Sequence, residues 1–91
     1  MEKVFYIDLF EVHSKEDLQD IIAATLPVPD YYGRNLDALY DILTEFGKEW
    51  NIIFYNSKFA QFRLGKYYEA LTRLCTEACE EREGLQIRFY P

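Results

Sequence analysis

The chain has 91 residues, enough for one hydrophobic core but not two, so a single domain over residues 1–91 is expected. An apolar fraction of 49% and an aromatic fraction of 18%, with 8 Tyr and 7 Phe, exclude a disordered chain and supply the residue types that dominate protein interfaces. With 10 Lys and Arg against 16 Asp and Glu, the net charge of -6 argues against general binding to nucleic acid, whose phosphates it would repel, and favours encounter with a basic partner.

The N-terminal stretch MEKVFYIDLF has no long apolar segment with a small-residue cleavage site, and no apolar run reaches ~18 residues. Neither secretion nor membrane insertion is expected, and the cytoplasm is the expected compartment. Val4–Leu9, VFYIDL, is short and rich in β-formers and predicts a strand. Ser14 then suits a helix N-cap, with Glu16 and Asp17 in the first turn favoured by the helix dipole. Leu18, Ile21, Ile22 and Leu26 recur at helical spacing and are expected to face the core. Pro27-Val28-Pro29 ends that helix, because proline removes a donor and restricts the residue before it.

A loop through Tyr31, Tyr32 and Gly33 leads to Asn35, a good N-cap for a second helix. Its apolar stripe reads Leu36, Leu39, Tyr40, Leu43 and Phe46, and Gly47 can end it. Asn51–Tyr55, NIIFY, predicts a second strand. Ser57–Leu64 predicts a short helix broken near Gly65, and Lys66 to about Arg82 predicts the longest helix. The core face of that helix is read as Tyr67, Ala70, Leu71, Leu74, Cys75 and Ala78. Gly84 is placed as its C-cap, and Leu85–Tyr90, LQIRFY, alternates like a last strand. Helical crossovers between strands favour a parallel sheet. The expected fold class is therefore α/β, a small three-stranded parallel sheet packed with about four helices.

The stretch DYYGRNLDALYDIL, Asp30 to Leu43, carries the most information about function. Asp37 and Asp41 lie one helical turn apart and share a face, where like charges are mildly unfavourable. Both fall away from the stripe of Leu36, Leu39 and Leu43. Tyr31 and Tyr32 precede them in a loop, where a purely solvated segment has little use for aromatics; tyrosine offers wide contact area with few rotamers. Gly33 permits a positive φ or the close approach of another backbone. Proline on one side and a capped helix on the other stiffen the surface before binding. A solvated acidic face is the plain alternative to a surface built for a basic partner.

The string Tyr31-Tyr32-Gly33-x-Asn35-Leu36-Asp37-Ala38-Leu39-x-Asp41 resembles the signature of the barstar family, intracellular protein inhibitors of barnase-type bacterial ribonucleases. Weaker similarity extends from SKEDL at Ser14 to the helix before Gly84. The resemblance implies a barstar-like domain that binds a basic secreted ribonuclease, with no direct contact to nucleic acid, no membrane, no cofactor and no metal, as a monomer. It implies that Asp41 places a carboxylate where the enzyme would hold RNA phosphate. It gives Asp37 the role of a supporting acid, Tyr31 that of an aromatic packed on the enzyme's active-site histidine, and Glu77 that of an acid paired with an enzyme arginine. Gly33 and Asn35 match loop contacts, and Tyr32, Tyr40, Thr44 and Phe46 complete the implied surface. Tyr40 and Phe46 stand where the best-known member has tryptophan, and Arg34 and Glu45 change the charge at the rim.

Other residues carry weaker readings. His13 is the only histidine and has no nucleophile matched to it, so Ser-His or Cys-His catalysis is disfavoured. Cys75 and Cys79 fall short of the four ligands of a closed zinc site, and Cys75 lies on the core stripe. The run Glu80-Glu81-Arg82-Glu83 reads as a solvated helix end or as a widening of the acidic field around Glu77. Trp50 reads as packing, because no basic groove accompanies it. Two rivals to the inhibitor reading remain. One makes Asp37 and Asp41 an acid and base pair, as in glycoside hydrolysis; adjacent positions on an exposed helix form no cleft, which disfavours it. The other is a barstar-like binding module for another basic protein.

Overall fold

The computed structural model describes residues 1–91. Three strands, β1 (Lys3–Asp8), β2 (Trp50–Tyr55) and β3 (Gln86–Phe89), alternate with four helices, α1 (Lys15–Thr25), α2 (Leu36–Phe46), α3 (Ser57–Leu64) and α4 (Lys66–Glu81). The expected α/β architecture is borne out: the sheet is parallel with order β1-β2-β3. The strands are offset by a residue from expectation, since β1 starts at Lys3, β2 takes in Trp50, and β3 is trimmed to Gln86–Phe89.

The register aligns Ile7 with Phe54 and Phe54 with Phe89 across the three strands. Strand side chains alternate between faces, and burial follows. Ile7, Trp50, Ile52 and Phe54 are buried, whereas Val4, Tyr6 and Tyr55 between them are exposed. The helices thus cover one sheet face and leave the other to solvent, an uncommon arrangement for a parallel sheet. A single cluster of 19 buried residues runs from the covered face into the helices, with Leu18 and Ile22 from α1, Leu39, Ile42 and Leu43 from α2, and Leu71, Cys75 and Ala78 from α4. Rings lock it together. Phe54 stacks on Phe89 at 4.6 Å between centroids, and Tyr68 meets Phe89 edge-on at 5.8 Å.

The expected stripes need adjustment. On α2, Ile42 is buried, Tyr40 is half-buried and Phe46 is exposed. On α4 it is Tyr68, not Tyr67, whose ring is buried. α4 packs against α2, α3 and β3, so its apolar face is wider than a single stripe. Cys75 is a buried free thiol, as read, and burial pushes its ionisation far up. The α4 C-cap is Arg82 in extended conformation, and Gly84 follows it in the turn with φ 88°.

The helix start signals are visible in the hydrogen bonds. Ser14 Oγ accepts from the Asp17 N–H at 3.1 Å, and Asp17 Oδ2 accepts from the His13 N–H at 2.9 Å, a reciprocal cap. Gly47 ends α2 for a reason of space. Its φ of -77° suits any residue, but an added Cβ would lie 2.2 Å from the Leu43 carbonyl oxygen and 3.0 Å from Leu85 Cδ1. Replacing a free glycine by alanine ordinarily stabilises by ~0.4–1 kcal/mol through the unfolded chain. Gly47→Ala is expected to do the reverse and cost about 1–3 kcal/mol, read as a lower melting temperature, because the overlap is with backbone and a core leucine.

Candidate functional site

The loop between α1 and α2 is tightly held. The Val28 N–H donates to the Leu26 carbonyl at 2.8 Å and the Tyr32 N–H to the Pro29 carbonyl at 3.0 Å, so the chain turns sharply through the two prolines. Tyr31 and Tyr32 then part company. Tyr31 is 77% exposed and projects from the loop, while the ring of Tyr32 is in the core at 9%. The Tyr32 hydroxyl donates to Gln19 Oε1 on α1, and Gln19 Nε2 donates to the Tyr67 hydroxyl on α4 at 3.0 Å. Tyr32 therefore anchors the loop, which leaves Tyr31 as its projecting aromatic.

The positive φ falls on Arg34 (φ 52°) and not on Gly33. The Arg34 side chain forms an ion pair with Asp20 of α1. At Gly33 an added Cβ would sit 3.3 Å from both Ala38 Cβ and Asn35 Nδ2, so its near neighbours are side chains at the start of α2 and not another backbone. Asn35 caps α2 as read. Its Oδ1 accepts from the Ala38 N–H at 2.7 Å, and its Nδ2 donates to the Gly33 carbonyl at 3.2 Å.

The capped α2 presents Asp37 and Asp41 on an exposed face. Across from them runs α4, and an open groove of about 500 Å³ separates the two helices. Leu36, Asp37, Tyr40 and Asp41 form one wall; Ala70, Arg73, Leu74 and Glu77 form the other. Three acidic residues from two helices thus line one groove together with Leu36, Tyr40, Ala70 and Leu74 and one arginine. A second shallow depression adjoins the first through Leu36 and Asp37 and reaches Lys15, Gln19 and Arg34.

The remaining expected contacts lie outside the groove. Thr44 is half-buried further along α2, with its hydroxyl donating to the Tyr40 carbonyl at 2.9 Å and the Asp41 carbonyl at 3.3 Å. Phe46 is exposed at the end of the helix. Arg73 and Gln19 were missed in the sequence. Arg73 lies one turn before Glu77, a spacing that could have revealed it. The signal for Gln19 was a polar side chain beside Leu18, three residues ahead of Ile22. No three His, Cys, Asp or Glu side chains are grouped to hold a metal ion.

Burial, reinforced by the neighbouring Tyr67 and partly offset by Arg34, raises the Tyr32 phenol to about 12. Because the folded value lies above the ordinary 10.0, the stabilisation is complete below pH 10 and is lost as pH rises towards 12. Urea midpoints measured from pH 9 to 12 should fall across that window, and Tyr32→Phe should flatten the fall although it removes the bond to Gln19.

Two comparisons with known proteins place the chain in a family. The model of the Barstar family, described as "Barstar (barnase inhibitor)", matches residues 2–90. A Bacillus subtilis (strain 168) protein named "Putative ribonuclease inhibitor YrdF" is 38% identical over 82 residues, covering 89% of each chain.

Proposed function

The chain belongs to the barstar family, and on that premise we propose that it inhibits a barnase-type ribonuclease by occluding its basic active site. Asp41 takes the place of substrate phosphate, Asp37 and Glu77 bracket it with further negative charge, and Tyr31 packs against the enzyme beside it. Gly33, Asn35 and Tyr40 shape the surface around these side chains, with Thr44 and Phe46 at its edge. The inhibitor acts as a monomeric single domain, without catalysis or cofactor, in the cytoplasm of the cell that makes the enzyme. The observation that carries this reading is that Asp37, Asp41 and Glu77 line one open groove between α2 and α4.

The physics suits the role. A site that grips RNA phosphate is lined with guanidinium and imidazolium groups, which hold a carboxylate by charge-assisted, often bidentate bonds. A surface already fixed by a cap and a buried anchor loses little freedom on binding. Competition tests the idea: a nucleoside 3′-monophosphate at saturating concentration should weaken binding of the protein to the ribonuclease. Unchanged affinity would mean that the protein binds away from the phosphate site.

Arg73 opposes the field of its neighbours. Association is steered by the summed charge of a surface. Arg73→Ala should therefore speed association by about two- to threefold at low ionic strength, with the gain fading above ~0.1 M salt as the screening length falls to ~10 Å. Stopped-flow mixing over a salt series measures both.

A further inference from the structure

We infer that Gln19 is a positioning residue for the recognition surface, holding the Tyr31 loop in its binding conformation and tying that loop to α4. The inference rests on the occlusion reading and deepens it.

Gln19 is 3% exposed, a buried amide among core residues. Its two ends are used differently. Oε1 accepts from the hydroxyl of Tyr32, and Nε2 donates to the hydroxyl of Tyr67. One side chain therefore joins three elements: α1, the loop that carries Tyr31, and α4, the helix that carries Glu77. A buried amide is tolerated only when its polar atoms are bonded, and once bonded it fixes one arrangement over others of similar compactness.

The neighbouring residue completes the clamp. Asp20 pairs with Arg34, so positions 32 and 34 are both fastened to consecutive residues of α1. Arg34 has a left-handed backbone, a conformation that a non-glycine residue keeps only where its surroundings hold it. An exposed pair of this kind adds little stability by itself, so its effect is on geometry. Within the loop the backbone bonds to itself at two places, the Val28 N–H at the Leu26 carbonyl and the Tyr32 N–H at the Pro29 carbonyl, and neither involves Tyr31, Gly33 or Arg34. Tyr31 is consequently presented at 77% exposure by a segment whose conformation is set from α1.

Two readouts test this. The first needs no partner. In Gln19→Leu, amide exchange at Tyr32 should accelerate by tenfold or more relative to Phe54 in the central strand; in Tyr67→Phe, which keeps the Tyr32 bond, it should change less. Equal acceleration at Tyr32 and Phe54 in both variants would mean that Gln19 supports only global stability and would overturn the inference. The second readout is a double-mutant cycle against a barnase-type ribonuclease. Gln19→Leu should weaken inhibition about tenfold when Tyr31 is present and less than twofold in a Tyr31→Ala background. An equal loss in both backgrounds would contradict action through Tyr31. Absence of inhibition by the wild-type protein would instead count against the occlusion reading, while the exchange arm still decides whether Gln19 positions the loop.

Discussion

Asp41→Ala should weaken inhibition of a barnase-type ribonuclease by on the order of 10²–10³-fold or more, the largest effect expected of any single side chain here. The carboxylate stands on the exposed face of α2 and lines a groove whose other acids are Asp37 and Glu77. In the proposed complex it is desolvated and shared among cationic groups of the enzyme. Removing one partner of such a cluster leaves the others buried and unpaired, which costs about 2–5 kcal/mol or more. Each 1.4 kcal/mol is tenfold in affinity. The loss should appear mainly as faster dissociation, because short-range bonds are lost while most of the acidic field remains. Asp41 is exposed and makes no side-chain bond inside the protein, so the melting temperature of the variant should stay close to that of the wild type. Inhibition kept within threefold would remove Asp41 from the centre of the interface.

The largest effect on stability belongs to Phe54. It lies on the central strand at 2% exposure, stacked on Phe89, with Tyr68 of α4 against the far ring. Phe54→Ala removes the ring that bridges β2 to β3 and leaves a cavity that the flanking strands can only partly close. Such substitutions cost about 3–5 kcal/mol. Domains of this size have a total stability of only ~5–15 kcal/mol. A shift of ~4–8 °C per kcal/mol converts the loss to a melting temperature lower by roughly 12–40 °C. Tyr6→Ala on the open sheet face is the matched control. Tyr6 is 64% exposed, and its loss should change stability by no more than about 0.5 kcal/mol. A Phe54 variant that melts with the wild type would show that the sheet and α4 are not held together at this point.

The parts of the molecule that obey local rules were readable from the residues. Ser14 and Asn35 act as caps because their side chains reach backbone N–H groups three residues on, a relation contained within one turn of chain. Asp37 and Asp41 face outward because Leu39 and Leu43 must face inward. The features that escaped depend on partners far along the chain. Nothing local separates Tyr31 from Tyr32; the difference is made by Gln19, 13 residues before Tyr32, which accepts its hydroxyl. The left-handed residue of the loop is Arg34 and not its glycine neighbour, and its guanidinium pairs with Asp20, 14 residues earlier on α1. The acidic groove has a second wall only because α4 lies along α2, and so Arg73 became visible only in the fold.

Titration of a barnase-type ribonuclease with the purified protein, following RNA cleavage, tests the central claim most directly. Occlusion predicts that activity falls in proportion to added protein and vanishes at one equivalent, with weaker inhibition as salt is raised. Full RNA cleavage in the presence of excess folded protein would contradict it.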